Sequence, residues 1–187
     1  IYGSMNNAPI PYMERTRLYY RALGYPSDYR WAYNETAPFT RLKRPLKDAK
    51  IAIITTSYPE GDWSDDNPPK REVWSQAVAE APANLFNRNL AWDKESTHTK
   101  DRETYLPLLA MQKLVAKGMI GGLTERFHSV PTDYSHRHTN EHDAPNIFDR
   151  LIKDGADAAR GTAPPSSVRS GDSCYLYEHS VFEFICG

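Results

Sequence analysis

The histidines of this sequence are concentrated in one stretch of the chain. Five of the six lie between His98 and His142, and aspartates and glutamates are interspersed among them. A histidine titrates near neutral pH and its neutral ring binds metal ions, so such a cluster can serve proton transfer or metal binding. We therefore expect chemistry between Phe127 and Asp143.

The spacing of the histidines suggests specific roles within this stretch. His136 and His138 are two positions apart, and on a strand they would project from the same face and offer two nitrogens to one ion. His142 or Asp133 would complete a three-ligand site. We predict His136 and His138 as catalytic acid–base residues, and His136, His138 and His142 as candidate ligands of a divalent metal, the one cofactor that the sequence suggests.

Two alternatives remain open for this segment. Neither an HExxH motif nor a CxxC pair is present to specify a zinc site. The histidines could instead hydrogen-bond to the backbone and solvent of a polar loop, or they could line a pocket for an anionic substrate. In the pocket interpretation, an arginine such as Arg126 would hold a carboxylate through paired hydrogen bonds.

A second set of candidate residues follows the clearest strand of the sequence. Residues 50–57 form a short, almost wholly apolar run that is rich in β-branched side chains, as a strand buried on both faces must be. Ligands of parallel sheets bind beyond the carboxyl ends of the strands. The predicted substrate contacts are Thr55, Thr56, His98, Arg126 and His128, although Thr55 and Thr56 could equally be turn-forming hydroxyls.

The remaining elements must position these residues. Three segments have helical periodicity and a glycine just after their end: residues 12–23, 104–117 and 143–154. Residues 71–81 suggest a further helix that carries Val73, Trp74 and Val78, and residues 84–92 suggest a second strand.

The C-terminal part departs from this alternation of strands and helices. Residues 155–159 resemble the start of another buried strand, but residues 160–173 have the composition of a linker, so we predict that this strand does not form. Residues 175–185 alternate like a terminal strand or hairpin.

These elements predict an α/β fold. We expect three layers with a mostly parallel sheet and flanking helices, an extended N-terminal arm and an irregular C-terminal tail. The predicted divisions are a helix and arm over residues 1–45, an α/β core over 46–159, and a linker with a terminal strand or hairpin over 160–187.

Composition limits the classes of function. The 23 basic and 24 acidic residues give a net charge of −1, whereas nucleic-acid-binding domains usually have a basic excess. No apolar run approaches the length of a membrane span, and no signal peptide is evident, so we predict a cytoplasmic protein without nucleic-acid or membrane partners. The GxGxxG, GxxxxGK[ST] and GxSxG motifs are absent. The expected partners are a small-molecule substrate and further copies of the chain or a partner subunit.

Several short motifs, spread over residues 10–159, resemble one family. They are Pro11-Tyr12-Met13-Glu14-Arg15-Thr16-Arg17, Pro45-Leu46, Leu106-Pro107-Leu108, Gly118-Met119-Ile120-Gly121, Phe127-His128 and Asp154-Gly155-Ala156-Asp157-Ala158-Ala159. The pattern is similar to that of proteins related to the selenoprotein B subunit of glycine, sarcosine, betaine and D-proline reductases. The resemblance implies an α/β fold and reductive cleavage of a carbon–nitrogen bond through a selenocysteine or cysteine.

The resemblance ends at Arg160. Members of the family continue from the Gly-Ala-Asp-Ala-Ala stretch into a buried strand and a cysteine-bearing turn, which this sequence lacks, and neither Cys174 nor Cys186 lies in that context. Cys174 is the candidate nucleophile for a reductive step. The leading hypothesis is a reductase-related enzyme or enzyme subunit that acts on a small, nitrogen-containing, amino-acid-like substrate. The alternatives are a non-catalytic oligomeric subunit and a histidine-based metal-dependent hydrolase.

Overall fold

The computed structural model describes residues 10–28, 41–88, 99–131 and 136–161. The chain divides into two compact units, residues 1–33 and 34–187. In the first unit, helix α1 (Tyr12–Ala22) is followed by Gly24 at φ 84°, a conformation that favours glycine. The predicted helix over residues 12–23 is thus confirmed. The predicted arm and tail fall largely outside the described residues.

The second unit is an α/β fold built on a mostly parallel, five-stranded sheet. Its strands are β1 (Lys50–Thr55), β2 (Trp74–Ala77), β3 (Gly122–Leu123), β4 (Arg126–Ser129) and β5 (Ala158–Gly161). Strand β1 is central: it pairs in parallel with β3 and β4 on one side and with β5 on the other. Strand β2 pairs antiparallel with β4. Residues 51–55 of β1 are all buried, as expected of a strand that is covered on both faces of its sheet.

Helices cover both faces of the sheet and give it three layers. Ile51 and Ile53 point to the face that packs on helix α2 (Leu108–Ala116). The alternate residues Ala52 and Ile54 pack on helix α4 (Ala144–Lys153). The alternation follows from the two-residue period of a strand. The predicted three-layer fold agrees with this arrangement.

The helix that precedes α4 has an unusual geometry. A short helix α3 (His136–His138) continues through one π-helical turn (Thr139–Asp143) into α4. A π-helical turn closes hydrogen bonds over five residues instead of four, and such turns often occur at functional sites.

Two predicted elements were wrong. Residues 71–81 do not form a helix, because residues 74–77 pair with β4 as a strand. Trp74 packs against the α2-facing core, while the hydroxyl of the next residue, Ser75, hydrogen-bonds to His128. The strand after residue 155 does form: β5 pairs with β1 from Ala158 to Gly161, although its sequence already has linker character.

Other elements differ in extent. The helix predicted over residues 104–117 begins at Leu108, after a 3₁₀ turn (Arg102–Thr104) and Pro107. Within the predicted strand of residues 84–92, Phe86 forms an isolated bridge to Tyr58, and residues 89–92 lie outside the described part. Segment 127–129, for which a polar loop was one of the open alternatives, is a buried strand.

Gly121 marks a close approach between two segments of the core. Its N–H donates to the carbonyl of Ala49 at 3.0 Å, and a Cβ at this position would lie 2.5 Å from the backbone carbon of Asp48. We expect Gly121→Ala to lower the free energy of unfolding by about 2 kcal/mol, because the backbone must shift to accept the methyl group. Gly122→Ala is the matched control, since its Cβ would meet nothing within 4 Å. Urea unfolding of both variants tests this, and equal stabilities would contradict it.

Candidate functional site

The carboxyl end of β1 presents a run of buried hydroxyl groups. Thr55 Oγ1 and Ser57 Oγ lie 3.3 Å apart. The carbonyl of Ser57 accepts hydrogen bonds from Trp74 Nε1 at 3.0 Å and from Ser129 Oγ. The Thr56 hydroxyl is buried, and it has no hydrogen-bond partner among the described residues. A buried hydroxyl without a partner is costly, so this oxygen is available to a ligand or a bound water.

A cavity lies beside the loop that follows this strand end. It measures about 430 Å³ and is lined by Trp63, Ser64, Asp65, Pro68, Phe86 and Arg88. We call it the Trp63 cavity. Its wall residue Phe86 is connected to the strand end. Tyr58, three residues after β1, exchanges backbone hydrogen bonds of 2.9 and 3.2 Å with Phe86. The Trp63 cavity therefore occupies the position at which parallel sheets bind their ligands.

The Trp63 ring is held in place by its own loop. Its Nε1 donates to the carbonyl of Pro59 at 3.0 Å. Gly61 lies directly against the ring, so that a Cβ at residue 61 would be 2.5 Å from Trp63 Nε1. The aromatic wall of the cavity is thus part of a tight loop.

The Trp63 cavity combines both signs of charge with aromatic surface. In the part of the chain that the structure describes, neither Arg88 nor Asp65 takes part in an ion pair. A free guanidinium can bind a carboxylate through two hydrogen bonds. Aromatic faces and a carboxylate attract an ammonium group. The lining therefore suits a small molecule that carries both charges.

A second polar cluster lies between the sheet and α4. It comprises Ser75, Arg126, His128, Arg150 and Asp154, which we call the polar network. His128 is fully buried on β4, and its Nδ1 lies 2.8 Å from Ser75 Oγ on β2. Its Nε2 lies 3.2 Å from Asp154 Oδ2, without the alignment of a hydrogen bond.

Two arginines complete the polar network. Arg126 binds the Asp154 carboxylate through Nε at 3.2 Å and Nη2 at 2.5 Å. Arg150 donates to Ser75 Oγ at 2.7 Å and to the carbonyl of Val73 at 3.1 Å. The hydrogen bonds of the network thus connect the neighbouring strands β2 and β4 to α4.

The hydrogen bonds and charges determine the state of His128. An ionised carboxylate only accepts hydrogen bonds, so the ring proton belongs on Nε2, which faces Asp154. Nδ1 then accepts a hydrogen bond from the Ser75 hydroxyl, and the Ser75 oxygen accepts a hydrogen bond from Arg150. Burial lowers the pKa of His128 to about 4; the carboxylate of Asp154 opposes this shift, and the two arginines add to it. His128 is therefore neutral at pH 7.

Ser75, His128 and Asp154 share residue types with the serine hydrolase triad, but their arrangement differs. In that triad, Nε2 of the histidine faces the serine and Nδ1 faces the aspartate, whereas here the two nitrogens are exchanged. A pKa of about 4 makes His128 a weak base, and Arg150 already donates a hydrogen bond to the Ser75 oxygen. The polar network is accordingly a structural feature that fixes the sheet against α4.

The residues predicted to contact a substrate are distributed between these features. Thr55 and Thr56 are buried at the carboxyl end of β1, where only Thr56 has an unpartnered hydroxyl among the described residues. Arg126 is engaged by Asp154, and His128 is inside the polar network. His98 and Cys174 lie outside the described residues.

The structure arranges the predicted histidine cluster differently from the arrangement that its sequence spacing suggests. The strand premise for His136 and His138 is wrong, since both residues belong to helix α3. Residues two apart on a helix point in nearly opposite directions. His138 and His142 are adjacent, with ring centroids 4.9 Å apart. The side chain of His136 is outside the described part, and no group of three or more His, Cys, Asp or Glu side chains among the described residues is placed to hold a metal ion.

Comparison of the chain with protein-family models, with curated proteins and with solved structures gave no match. Within the described residues, no helix has the length and apolar character to cross a bilayer.

Sequence reasoning missed several residues of both features. Trp63 and Asp65 belong to a segment with no regular periodicity, and Arg88 belongs to the predicted strand of residues 84–92; only their chemical types could have suggested a ligand site. Ser75 was hidden by the wrong helix prediction. Asp154 was interpreted as part of a helix end, and its pairing with Arg126 spans 28 residues, which no local pattern indicates.

Proposed function

We propose that this chain is an enzyme, or the substrate-binding subunit of one, related to the selenoprotein B family and binding a small amino-acid-like molecule in the Trp63 cavity. The observation that supports this proposal is the guanidinium of Arg88, which has no ion-pair partner among the described residues, in a cavity that also contains Asp65 and two aromatic rings. In the proposed complex, Arg88 binds the substrate carboxylate. Trp63, Phe86 and Asp65 surround the ammonium group.

The location of the Trp63 cavity agrees with the proposal. It adjoins the carboxyl end of β1, because Tyr58 beyond this strand pairs with Phe86 of the cavity wall. A volume of about 430 Å³ is within the range of small-molecule sites.

The reductive step implied by the family resemblance requires a redox-active thiol or selenol in addition to a substrate site. Cys174 remains the predicted nucleophile for this step. The predicted homo-oligomer is likewise part of the proposal, and sedimentation velocity of the full chain tests it.

Arg88→Gln tests the substrate site. We expect the variant to bind betaine, sarcosine, glycine or D-proline about 10- to 100-fold more weakly than the wild type, because one charge-assisted pair of hydrogen bonds is lost. Isothermal titration calorimetry measures this. Choline keeps the cationic group of betaine but lacks the carboxylate, so any choline affinity should not change in the variant.

The matched control is Arg137→Gln, which removes an exposed arginine that does not line the cavity. Its affinities should equal those of the wild type. Wild-type protein that binds none of the zwitterions, or an Arg88→Gln variant with unchanged affinity, would refute the proposed substrate site.

A further inference from the structure

The segment that leads into β1 forms a basic surface with exposed apolar side chains. Residues 41–50 contain five basic residues and one acidic residue, and all but one of the ten are exposed. The turn before β3 lies beside this segment, since the N–H of Gly121 donates to the carbonyl of Leu46 at 3.1 Å. This turn adds the exposed residues Lys117 and Met119. We call residues 41–50, 117 and 119 the basic surface.

The basic surface has cations without counterions and apolar side chains in contact with water. In the part of the chain that the structure describes, Lys43, Lys47 and Lys117 take part in no ion pair. Leu46 is 49% exposed and Met119 is 56% exposed. Exposed apolar groups that are surrounded by charged ones are typical of surfaces that bind another protein.

The loop after β1 has the opposite charge. Residues 59–67, which we call the acidic loop, contain four acidic residues and no basic residue. All four acidic side chains are exposed, and none of them pairs with a cation among the described residues. Trp63 lies between them and is partly exposed, so this loop also combines charge with apolar surface.

The basic surface and the acidic loop lie at opposite ends of one strand. Strand β1 separates them by its six residues, which span about 20 Å. Exposed charges at this distance are screened from each other, because the Debye length at physiological salt is about 8 Å. The net charge of the whole chain is only −1, so copies of it do not strongly repel one another. The two surfaces can therefore neutralise each other between copies, but not within one copy.

We propose that the basic surface of one copy docks onto the acidic loop of a second copy, so that the copies associate head to tail. Lysines of one copy pair with carboxylates of the next, while Leu46, Met119 and Trp63 supply apolar contact area. Contact between two unlike surfaces leads to rings or open chains of copies. The inference specifies the homo-oligomer of the proposed function and rests on that part of it, but it requires no substrate in the Trp63 cavity.

Sedimentation velocity of the full chain over a series of concentrations tests the proposal. We expect the wild type to associate in about 0.05 M NaCl, and its association constant to fall at least about tenfold in about 0.5 M NaCl. Lys43→Glu/Lys47→Glu and Asp62→Lys/Asp66→Lys should each weaken the association at least about tenfold, because like charges then face each other. Circular dichroism verifies that each variant remains folded.

Two control variants separate complementary surfaces from a simple effect of net charge. The combined variant carries all four substitutions; two changes of −2 and two of +2 leave its net charge at −1. It exchanges the signs of the two surfaces, so it should associate like the wild type. Lys100→Glu/Arg137→Glu alters the net charge as Lys43→Glu/Lys47→Glu does, at exposed positions outside both surfaces. It should also associate like the wild type.

Several results would overturn the docking of these surfaces. One is a wild type that stays monomeric in about 0.05 M NaCl, and another is a combined variant that associates no better than the double variants. Monomers that bind phosphatidylserine vesicles through Lys43 and Lys47 would assign the basic surface to an anionic membrane instead. An oligomer that neither double variant weakens would retain the proposed homo-oligomer but reject these surfaces. Calorimetry of the zwitterions is a separate measurement, so the substrate site and the docking surfaces can fail independently.

Discussion

The free energy of unfolding should fall by about 2 kcal/mol when the pH is lowered from 7 to 5, because His128 is neutral in the folded chain. Its pKa is lowered from 6.5 to about 4 by burial. Between these two values the unfolded chain binds a proton that the folded chain does not. The stabilisation is therefore complete above pH 6.5 and is lost as the pH falls towards 4.

Urea unfolding at pH 7, 6 and 5 measures this effect. His128→Asn keeps an acceptor for the Ser75 hydroxyl but does not titrate, so its stability should vary less with pH than that of the wild type. His142→Asn is the matched control, since it removes an exposed histidine and should retain the wild-type slope. Equal slopes for the wild type and His128→Asn would show that His128 is not the group responsible.

Asp154→Ala should lower the free energy of unfolding by about 3 kcal/mol at pH 7. The Asp154 carboxylate is 8% exposed; it forms an ion pair with the Arg126 guanidinium and lies 3.2 Å from Nε2 of the buried His128 ring. Without it, the Arg126 guanidinium loses its ion pair, and the buried Nε2 of His128 no longer faces a carboxylate. Asp149→Ala, on the exposed surface of the same helix, should change the stability by less than about 0.5 kcal/mol.

A second measurement distinguishes this mechanism from general damage to the helix end. Asp154 raises the pKa of His128 against the effect of burial, so Asp154→Ala should lower that pKa further, and an NMR titration of the ring would follow it. A double-mutant cycle of Asp154→Ala with His128→Asn should show coupling, because the two side chains are in contact. Additive effects would mean that the polar network does not act as a unit.

The polar network and the Trp63 cavity are linked through strand β2. Ser75 belongs to the network, and its neighbour Trp74 donates a hydrogen bond to the carbonyl of Ser57 beyond β1. Arg150 of α4 anchors β2, and β2 in turn holds the carboxyl end of β1, beside which the cavity lies. A rigid support of this kind positions a binding site without contacting the ligand.

The elements predicted correctly are those whose conformation is determined by residues that are close together in the sequence. The run Ile51–Ile54 is apolar and β-branched throughout, and only a strand covered on both faces buries all of it. Helix α4 has an apolar stripe that includes Ile147 and Leu151. Pro145 lies near its start and Gly155 follows its end, so neighbouring residues determine both its periodicity and its boundaries.

The elements predicted wrongly depend on partners that are distant in sequence. Residues 74–77 have a spacing compatible with a helix, and they become a strand because β4, about 50 residues later, offers them a hydrogen-bonding edge. Strand β5 extends to Gly161 because the free side of β1 accepts it, despite the linker-like composition that begins at Arg160.

The candidate sites divide in the same way. The sequence by itself determined an α/β chain with a buried strand ending in hydroxyls and a histidine-rich segment before its last helix, since period and residue type are properties of neighbouring positions. Only the tertiary structure decided which of these groups meet: Arg88 with Trp63 in one cavity, and His128 with Asp154 in the interior. It also placed the ring of His138 beside that of His142. The physical reason is that side-chain direction follows the backbone period, and the choice between strand and helix at these residues was made by packing.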